Sequence, residues 1–495
     1  MSFLSDSRRV TRALSDFYHR SLSAEGRVVT QAPIEDIIER LDLAGLASRG
    51  GLSGAKLSEF LDAYLSYTTR LHHPEYLAHQ VAAPHPSGGL AALVDGVTNN
   101  AMAIYEMGPA AAAIEFFVIN WLLGKVGWIP TPHPRETGCV PEHGGGVLTH
   151  GGSLANLTAL LAARSRIAPD VWDQGNPGDL AVLAPAESHY SIARAIGIMG
   201  LGRRALYPLP VDDAGRVLAD RIPQALAKVR EDGRRAMALV ANACSTGVGL
   251  YDPIREIGQA CREAGVWMHV DGAHGASALL SDRHRALLDG ADMADSLVWD
   301  AHKLMRAPTL CAAVLVRDAA TLDRAFEQEA SYLFHDKAQP GVDFIHRTVE
   351  CTKAGLGLRF FAVLGALGEQ GLGHYIERQY GLAAEAFRLI RAQEDFDCPV
   401  EPQSNILCFR VRGTDAAQIA IRDALIAHGR FHLSTVFFGG RRYLRATFMS
   451  PATTLADVSR LIEAVRTEAS RVEAGGAGTA AEAKAGRPAT PGGHP

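Results

Sequence analysis

Apolar positions along this chain follow two rhythms. Over residues 34–43 and 57–71 they recur at helical spacing, so the first 85 residues read as mostly helical. From about residue 145 to 318 short apolar runs alternate with helical stretches. The runs are 180–184, 236–241, 266–270, 297–299 and 312–316. Between two of them lies 252–265, with Pro253 near a helix start and Gly265 at its end. Strands alternating with such helices predict an α/β fold with a mostly parallel sheet covered on both faces. Beyond about 355 a long helical stretch leads to a smaller α/β region. Its best strands are 406–411 and 443–448, and a final helix runs from 454 to about 472. This divides the chain into 1–85, a large domain 86–350 and a small domain 351–473. Residues 474–495 are rich in Ala, Gly, Pro and Thr and are expected to be disordered. There is no internal repeat.

Composition narrows the class. The chain has 495 residues, long enough for two or three domains. A net charge of -5 leaves no electrostatic footprint for nucleic acid or an anionic membrane. The seven cysteines are scattered, odd in number and without Cys-x-x-Cys, which points to free thiols in a reducing cytoplasm. The first nine residues lack an apolar h-region, so no signal peptide is expected. The most apolar stretch, 109–123, is short for a membrane span and carries Glu115 and Asn120. It reads as a buried or subunit-facing helix.

Candidate chemistry begins with two strand ends. Lys303 follows the run 296–300, and Asp271 closes the run 266–270. A lysine can hold pyridoxal phosphate as an imine, and a carboxylate can hold its ring nitrogen. The ordinary alternatives are a surface lysine and a turn or N-cap aspartate before Gly272. In Gly144-Gly-Gly-Val-Leu-Thr-His-Gly-Gly-Ser153 a strand-sized piece runs into a helix start, where backbone N–H groups and Ser153 could cradle a phosphate. Simple helix capping explains the same residues. His189 follows the run 180–184 and could stack on a cofactor ring. No P-loop or dinucleotide glycine pattern occurs there. His72, His73, His79 and His85 lack a recognised ligand spacing, so no metal is expected.

Taken together these segments resemble the group II pyridoxal-phosphate-dependent amino-acid decarboxylases. That family includes the glutamate, aromatic-amino-acid, cysteine-sulfinate and diaminobutyrate decarboxylases. The similarity is carried, in order, by His73-Pro-Glu-Tyr, Tyr105-Glu-Met-Gly-Pro, Leu148-Thr-His-Gly-Gly-Ser-Leu-Ala-Asn, His269-Val-Asp-Gly-Ala, Asp300-Ala-His-Lys and the run 444–454. The resemblance implies the aspartate-aminotransferase-like (type I) fold and an intertwined homodimer with its active site at the subunit interface, in which residues 1–85 resemble the segment that packs across the partner.

By position the resemblance makes Lys303 the imine lysine, Asp271 the pyridinium partner and His189 the stacking histidine. It places Ala273 against the other ring face. It puts Gly152, Ser153 and Ser245 or Thr246 at the phosphate, with Asp300 and His302 beside the cofactor. Arg445 matches an arginine implicated in binding a substrate carboxylate, and His79 and Gln80 fall on the substrate side. Tyr332 matches a loop tyrosine that delivers a proton to the substrate α-carbon.

That tyrosine and His189 favour decarboxylation over oxidative deamination. Ala101 and Ala103 stand where glutamate decarboxylases carry Asn and Phe, which argues against glutamate. The implied activity is release of carbon dioxide from a small acidic or polar L-amino acid. An aromatic substrate, an aldehyde synthase on the same scaffold, and a non-catalytic dimeric interaction protein stand as alternatives.

Overall fold

The computed structural model describes residues 3–134, 142–326 and 341–485. The chain divides into two compact units. One comprises Gln80–Gly381 with Pro402–Asn405. The other is built from the residues before Gln80, Leu382–Glu401 and the chain from Ile406 onward. The earlier division at 85/86 and 350/351 followed changes in sequence pattern. The units follow packing, and one boundary falls inside a single long helix, Leu356–Arg391, which is broken at Gly368.

The larger unit is organised by seven strands: β1 (Gly145–Thr149), β2 (Leu180–Pro185), β3 (Leu206–Leu209), β4 (Arg235–Asn242), β5 (Trp267–Asp271), β6 (Ser296–Asp300) and β7 (Ala312–Val316). Their order is β1-β7-β6-β5-β4-β2-β3. The pairs from β3 through β6 are parallel. β7 runs against both neighbours, β6 and β1. Every residue of β1, β2, β5, β6 and β7 is buried. That is why these strands read as continuous apolar runs rather than alternating ones. β3 escaped the pattern because it is an edge strand of four residues containing Pro208, which an edge tolerates.

Helices Ser191–Ile198, Ile222–Glu231 and Ile254–Ala264 lie in the connections from β2 to β5. The apolar helix Pro109–Val126 passes a membrane-span test of length and hydropathy. It buries Ala112, Glu115, Ile119, Leu122, Leu123 and Val126, an i, i+3/i+4, i+7 face typical of a core helix.

The smaller unit holds four antiparallel strands, β8 (Phe396–Asp397), β9 (Ile406–Val411), β10 (Ser434–Phe438) and β11 (Arg441–Thr447), in the order β10-β11-β9-β8. Ile421 and Leu425 of helix Asp415–Ala427 and Val458, Leu461 and Val465 of the last helix share a core with Phe409 and Leu444. β8 and β10 are edge strands with exposed positions, so no apolar run announced them. The last helix spans Leu455–Ala485, past the end at about 472 that apolar spacing suggested. Residues 474–485 are alanine-rich, and alanine is the strongest helix former.

Candidate active site

Because β7 is reversed, β1 points the same way as β2, β4, β5 and β6. The carboxyl ends of all five therefore share one edge of the sheet. Ligands of open α/β sheets bind outside that edge. A cavity of about 280 Å³ lies there, near the lower end of ligand-pocket sizes. It is lined by Gly152, Ser153, His189, Thr246, Asp271, Ala273, Asp300, His302 and Lys303. Residues 151 positions apart in sequence thus meet because each ends, or follows, a different strand.

Lys303 sits in the short connection from β6 to β7. His302 N–H donates to Cys311 O at 3.1 Å and Ala307 N–H to Ala301 O at 3.0 Å, which closes the connection on itself. Arg306 adopts the left-handed region (φ 60), a conformation uncommon outside glycine, and donates to Ala83 O at 3.2 Å. Lys303 Nζ lies 3.2 Å from Asp300 Oδ2, and His302 Nε2 lies 3.6 Å from the same oxygen. The other oxygen, Asp300 Oδ1, is buried without a hydrogen-bond partner among the described residues.

Asp271 ends β5. Its Oδ2 accepts from Asn156 Nδ2 at 3.0 Å and its Oδ1 from Ala273 N–H at 3.2 Å. Each carboxylate oxygen can accept about two hydrogen bonds, so both keep capacity for a protonated ring nitrogen. His189 accepts at Nδ1 from Ser191 N–H (3.3 Å) and lies 2.7 Å from Ser191 Oγ. Burial lowers its pKa, with Asp271 opposing and Lys303 assisting, so the ring is neutral at pH 7.

The turn after β1 brings helix Gly152–Ile167 to the cavity by its N-terminus, with Gly151 at φ 97. A Cβ on Gly152 would stand 2.8 Å from Asp300 Oδ2, so the first turn approaches the carboxylate only because glycine is there. Of the two phosphate candidates in the loop after β4, Thr246 lines the cavity. The Ser245 hydroxyl instead accepts from Leu250 N–H at 3.2 Å within its own turn.

The substrate-side candidates are divided between the two units. Gln80 belongs to the large unit but is not among the cavity-lining residues described. His79 and Arg445 belong to the smaller unit. There Arg445 donates to Ala78 O (3.2 Å) and Thr447 Oγ1 (3.0 Å), and the His79 ring meets His432 edge-on. Tyr332 lies outside the described residues. The sequence reading also missed Asn156, His150, Cys244, His274 and Leu310, which line the cavity. Asn156 carried a signal, as a polar residue one turn into a helix that is otherwise apolar around it.

An amine, a buried carboxylate with spare acceptor capacity, a helix N-terminus flanked by two hydroxyl residues, and a small residue at 273 suit one cofactor. Together with the sheet topology they define a pyridoxal-phosphate enzyme of fold type I. Residues 59–412 match the family model described as the pyridoxal-dependent decarboxylase conserved domain. The chain is 27% identical over 441 residues to an L-2,4-diaminobutyrate decarboxylase of Acinetobacter baumannii, covering 84% of each. It is 30% identical over 380 residues to the human cysteine sulfinic acid decarboxylase, covering 76% of this chain and 74% of that one. Among solved structures, the crystal structure of mouse CSAD superposes with a TM-score of 0.85 at 23% identity, covering 95% of this chain and 99% of that chain. The chain belongs to the pyridoxal-dependent decarboxylase family. It is a lyase that acts on an amino acid with pyridoxal phosphate as cofactor.

Proposed function

We propose that this chain decarboxylates a small acidic or polar L-amino acid, as a cytoplasmic homodimer, with Lys303, Asp271 and His189 as its central residues. The observation that carries the reading is the convergence of those three side chains on one cavity at the carboxyl edge of the sheet. Named relatives acting on cysteine sulfinate and diaminobutyrate support the substrate class. Support for a second copy comes from helix Pro86–Thr98, where Leu90, Leu93, Val94 and Val97 form an exposed apolar stripe. The free cysteines among the described residues fit a reducing compartment. The inward-facing Glu115 on helix Pro109–Val126 fits a core helix rather than a membrane span. The reading assigns no role to nucleic acid.

Pyridoxal phosphate supplies an electron sink for the pair left when the bond between Cα and the carboxylate breaks. Lys303 is the amine that would hold the cofactor's aldehyde carbon. The Asp300 carboxylate beside it orients that amine. Asp271 would keep a proton on the ring nitrogen, and Ser153, Thr246 and the helix N-terminus would hold the phosphate. His189 and Ala273 bound the space left for a flat ring. Carbon dioxide leaves, and a proton is returned to Cα. The family resemblance gives that delivery to Tyr332, and neutral His189, with its proton on Nε2, would assist it. Arg445, His79 and Gln80 remain the substrate-side candidates.

The test is a carbon dioxide release screen with the full chain and added cofactor over the amino acids, cysteine sulfinate and diaminobutyrate. We expect carbon dioxide and amine in equal amounts from an acidic or polar substrate. The visible cofactor band should be absent in Lys303→Ala. Aldehyde with peroxide, turnover restricted to aromatic substrates, or an unchanged band in Lys303→Ala would each overturn the proposal.

A further inference from the structure

A chain of buried polar groups runs behind the cavity, and the donor and acceptor role of each can be worked out. Its members are Trp267, Ser296, His269, Asn156, Asp271, Ser191 and His189, and all but His189 are buried. A carboxylate only accepts, so the 3.0 Å contact with Asp271 Oδ2 must come from the amide nitrogen of Asn156. The same nitrogen donates its second hydrogen to Ser191 Oγ at 2.8 Å. Asn156 Oδ1 must then accept from His269 Nε2, 3.0 Å away. Neutral His269 has one proton, so its Nδ1 accepts from Ser296 Oγ at 2.8 Å. Ser296 Oγ in turn accepts from Trp267 Nε1 at 2.8 Å. At the other end, Ser191 Oγ has accepted from Asn156 and donates to His189 Nδ1 at 2.7 Å. Burial pushes the His269 pKa down to about 4, which agrees with a neutral ring in this chain.

We propose that Asn156 is a positioning residue with two arms, one holding Asp271 in place and the other fixing His189, through Ser191, with its proton on Nε2. His269 and Ser296 serve to fix which way the Asn156 amide faces. The inference rests on the reading of Asp271 and His189 given above. It adds that the group meant for the ring nitrogen and the group meant for the ring face are set by one side chain. Reversing that amide would set its oxygen against the Asp271 carboxylate, a contact with no donor, and would force His269 to carry its proton on Nδ1 instead. Networks satisfied in this way hold their members in a single arrangement.

The experiment uses the full chain with four substitutions: Asn156→Ala, Ser191→Ala, His269→Leu and His269→Gln. Glutamine keeps one donor and one acceptor at position 269. Two readouts are followed. One is the affinity for pyridoxal phosphate by equilibrium titration. The other is the His189 tautomer in the cofactor-free protein, from ring nitrogen-15 shifts assigned with His189→Phe. Outer partners of bound groups commonly contribute about ten- to a hundredfold in affinity, and Asn156→Ala should weaken cofactor binding by that order. It should also give a mixture of His189 tautomers. Ser191→Ala should disturb the tautomer while leaving affinity within about twofold. His269→Leu should resemble Asn156→Ala, and His269→Gln should recover most of the loss.

Wild-type affinity together with a single tautomer in Asn156→Ala would overturn the proposal. So would equal losses in His269→Leu and His269→Gln. Should Asn156→Ala fail to fold, Ser191→Ala and the His269 pair decide the matter by the same criteria. A wild-type chain that develops no visible band with pyridoxal phosphate would instead count against the site itself. The nitrogen-15 readout separates the two failures because it needs no cofactor.

Discussion

Among the described residues of the seven-stranded unit, two lysines pair with buried carboxylates, and the pairs are completed in different ways. Lys353 and Glu115 meet at 2.6 Å with both side chains fully buried. The second oxygen of Glu115 accepts from Leu148 N–H at 2.8 Å, and the Phe344 ring lies 5.9 Å from the ammonium. Both carboxylate oxygens have protein partners. Lys303 and Asp300 meet at 3.2 Å beside a cavity; the lysine keeps some exposure, and one aspartate oxygen has no partner among the described residues. The first pair ties helix Pro109–Val126 to β1. The second keeps unspent bonding capacity next to open space. A buried carboxylate with a protein partner on each oxygen, away from any cavity, is architecture; one that borders open space with an oxygen left over is a candidate for chemistry.

The largest expected difference comes from removing each lysine. Lys353→Ala leaves Glu115 buried and unpaired, which costs about 3–5 kcal/mol. Denaturant melts should show it. Lys303→Ala should abolish turnover while costing less stability than Lys353→Ala, because Asp300 keeps His302 at 3.6 Å and borders a cavity. Equal destabilisation by the two changes would break the comparison.

Next in size is an acid limb on the site's side. His269 is buried neutral, with a pKa lowered to about 4 from an unfolded value of about 6.5. Its folded pKa lies below its unfolded one, so its full contribution is present above pH ~6.5 and is lost as pH falls toward 4. The loss is on the order of 3 kcal/mol. His269→Gln should flatten the fall in melting temperature between those limits; an unchanged acid limb would remove His269 as its cause.

Gly152→Ala should have a smaller effect. The new methyl must displace the Asp300 carboxyl from 2.8 Å. Overpacking of this kind costs about 1–3 kcal/mol, and cofactor affinity should fall with it. Wild-type affinity would mean that the closeness of Gly152 to Asp300 does not matter for the site. The smallest net change is expected from Glu115→Leu with Lys353→Met. Apolar replacement of a whole buried pair is often near neutral, so the double variant should regain most of what Lys353→Ala loses. A double variant as unstable as the single one would show that the pair does more than satisfy itself.

The site's main residues could be read from the sequence because each ends an apolar run. Asp271 announces itself by a charge after five buried residues, Lys303 by a charge soon after the run 296–300, and the glycines at 151 and 152 by breaking a strand before a helix. The parts that could not be read depend on register. His269 faces Ser296 only because β5 and β6 pair in parallel with those residues opposed. Asn156 reaches Asp271 across 115 positions, and no local pattern encodes that distance. Ser245 and Thr246 are interchangeable in sequence; a turn closed on Leu250 separates them. The fold class followed from alternating runs, whereas the reversal of β7 did not. An apolar run looks the same in either direction. The eleven residues between β6 and β7 held the missing clue, since parallel neighbours need a crossover of about a dozen or more.

That reversal also bears on the order in which the chain assembles. β6 and β7 meet through a connection of residues 301–311, while β1 joins β7 across more than 160 positions. Short loops close at small entropic cost, and distant pairings wait for the rest of the topology. Lys303 is therefore seated in a hairpin that can form among near neighbours. The helix start at Gly152 arrives with β1, as a late event. In pulse-labelled refolding, the amides of Ser296–Asp300 and Ala312–Val316 should gain protection from exchange ahead of those of Gly145–Thr149. Affinity for the phosphate group should appear only with the later set.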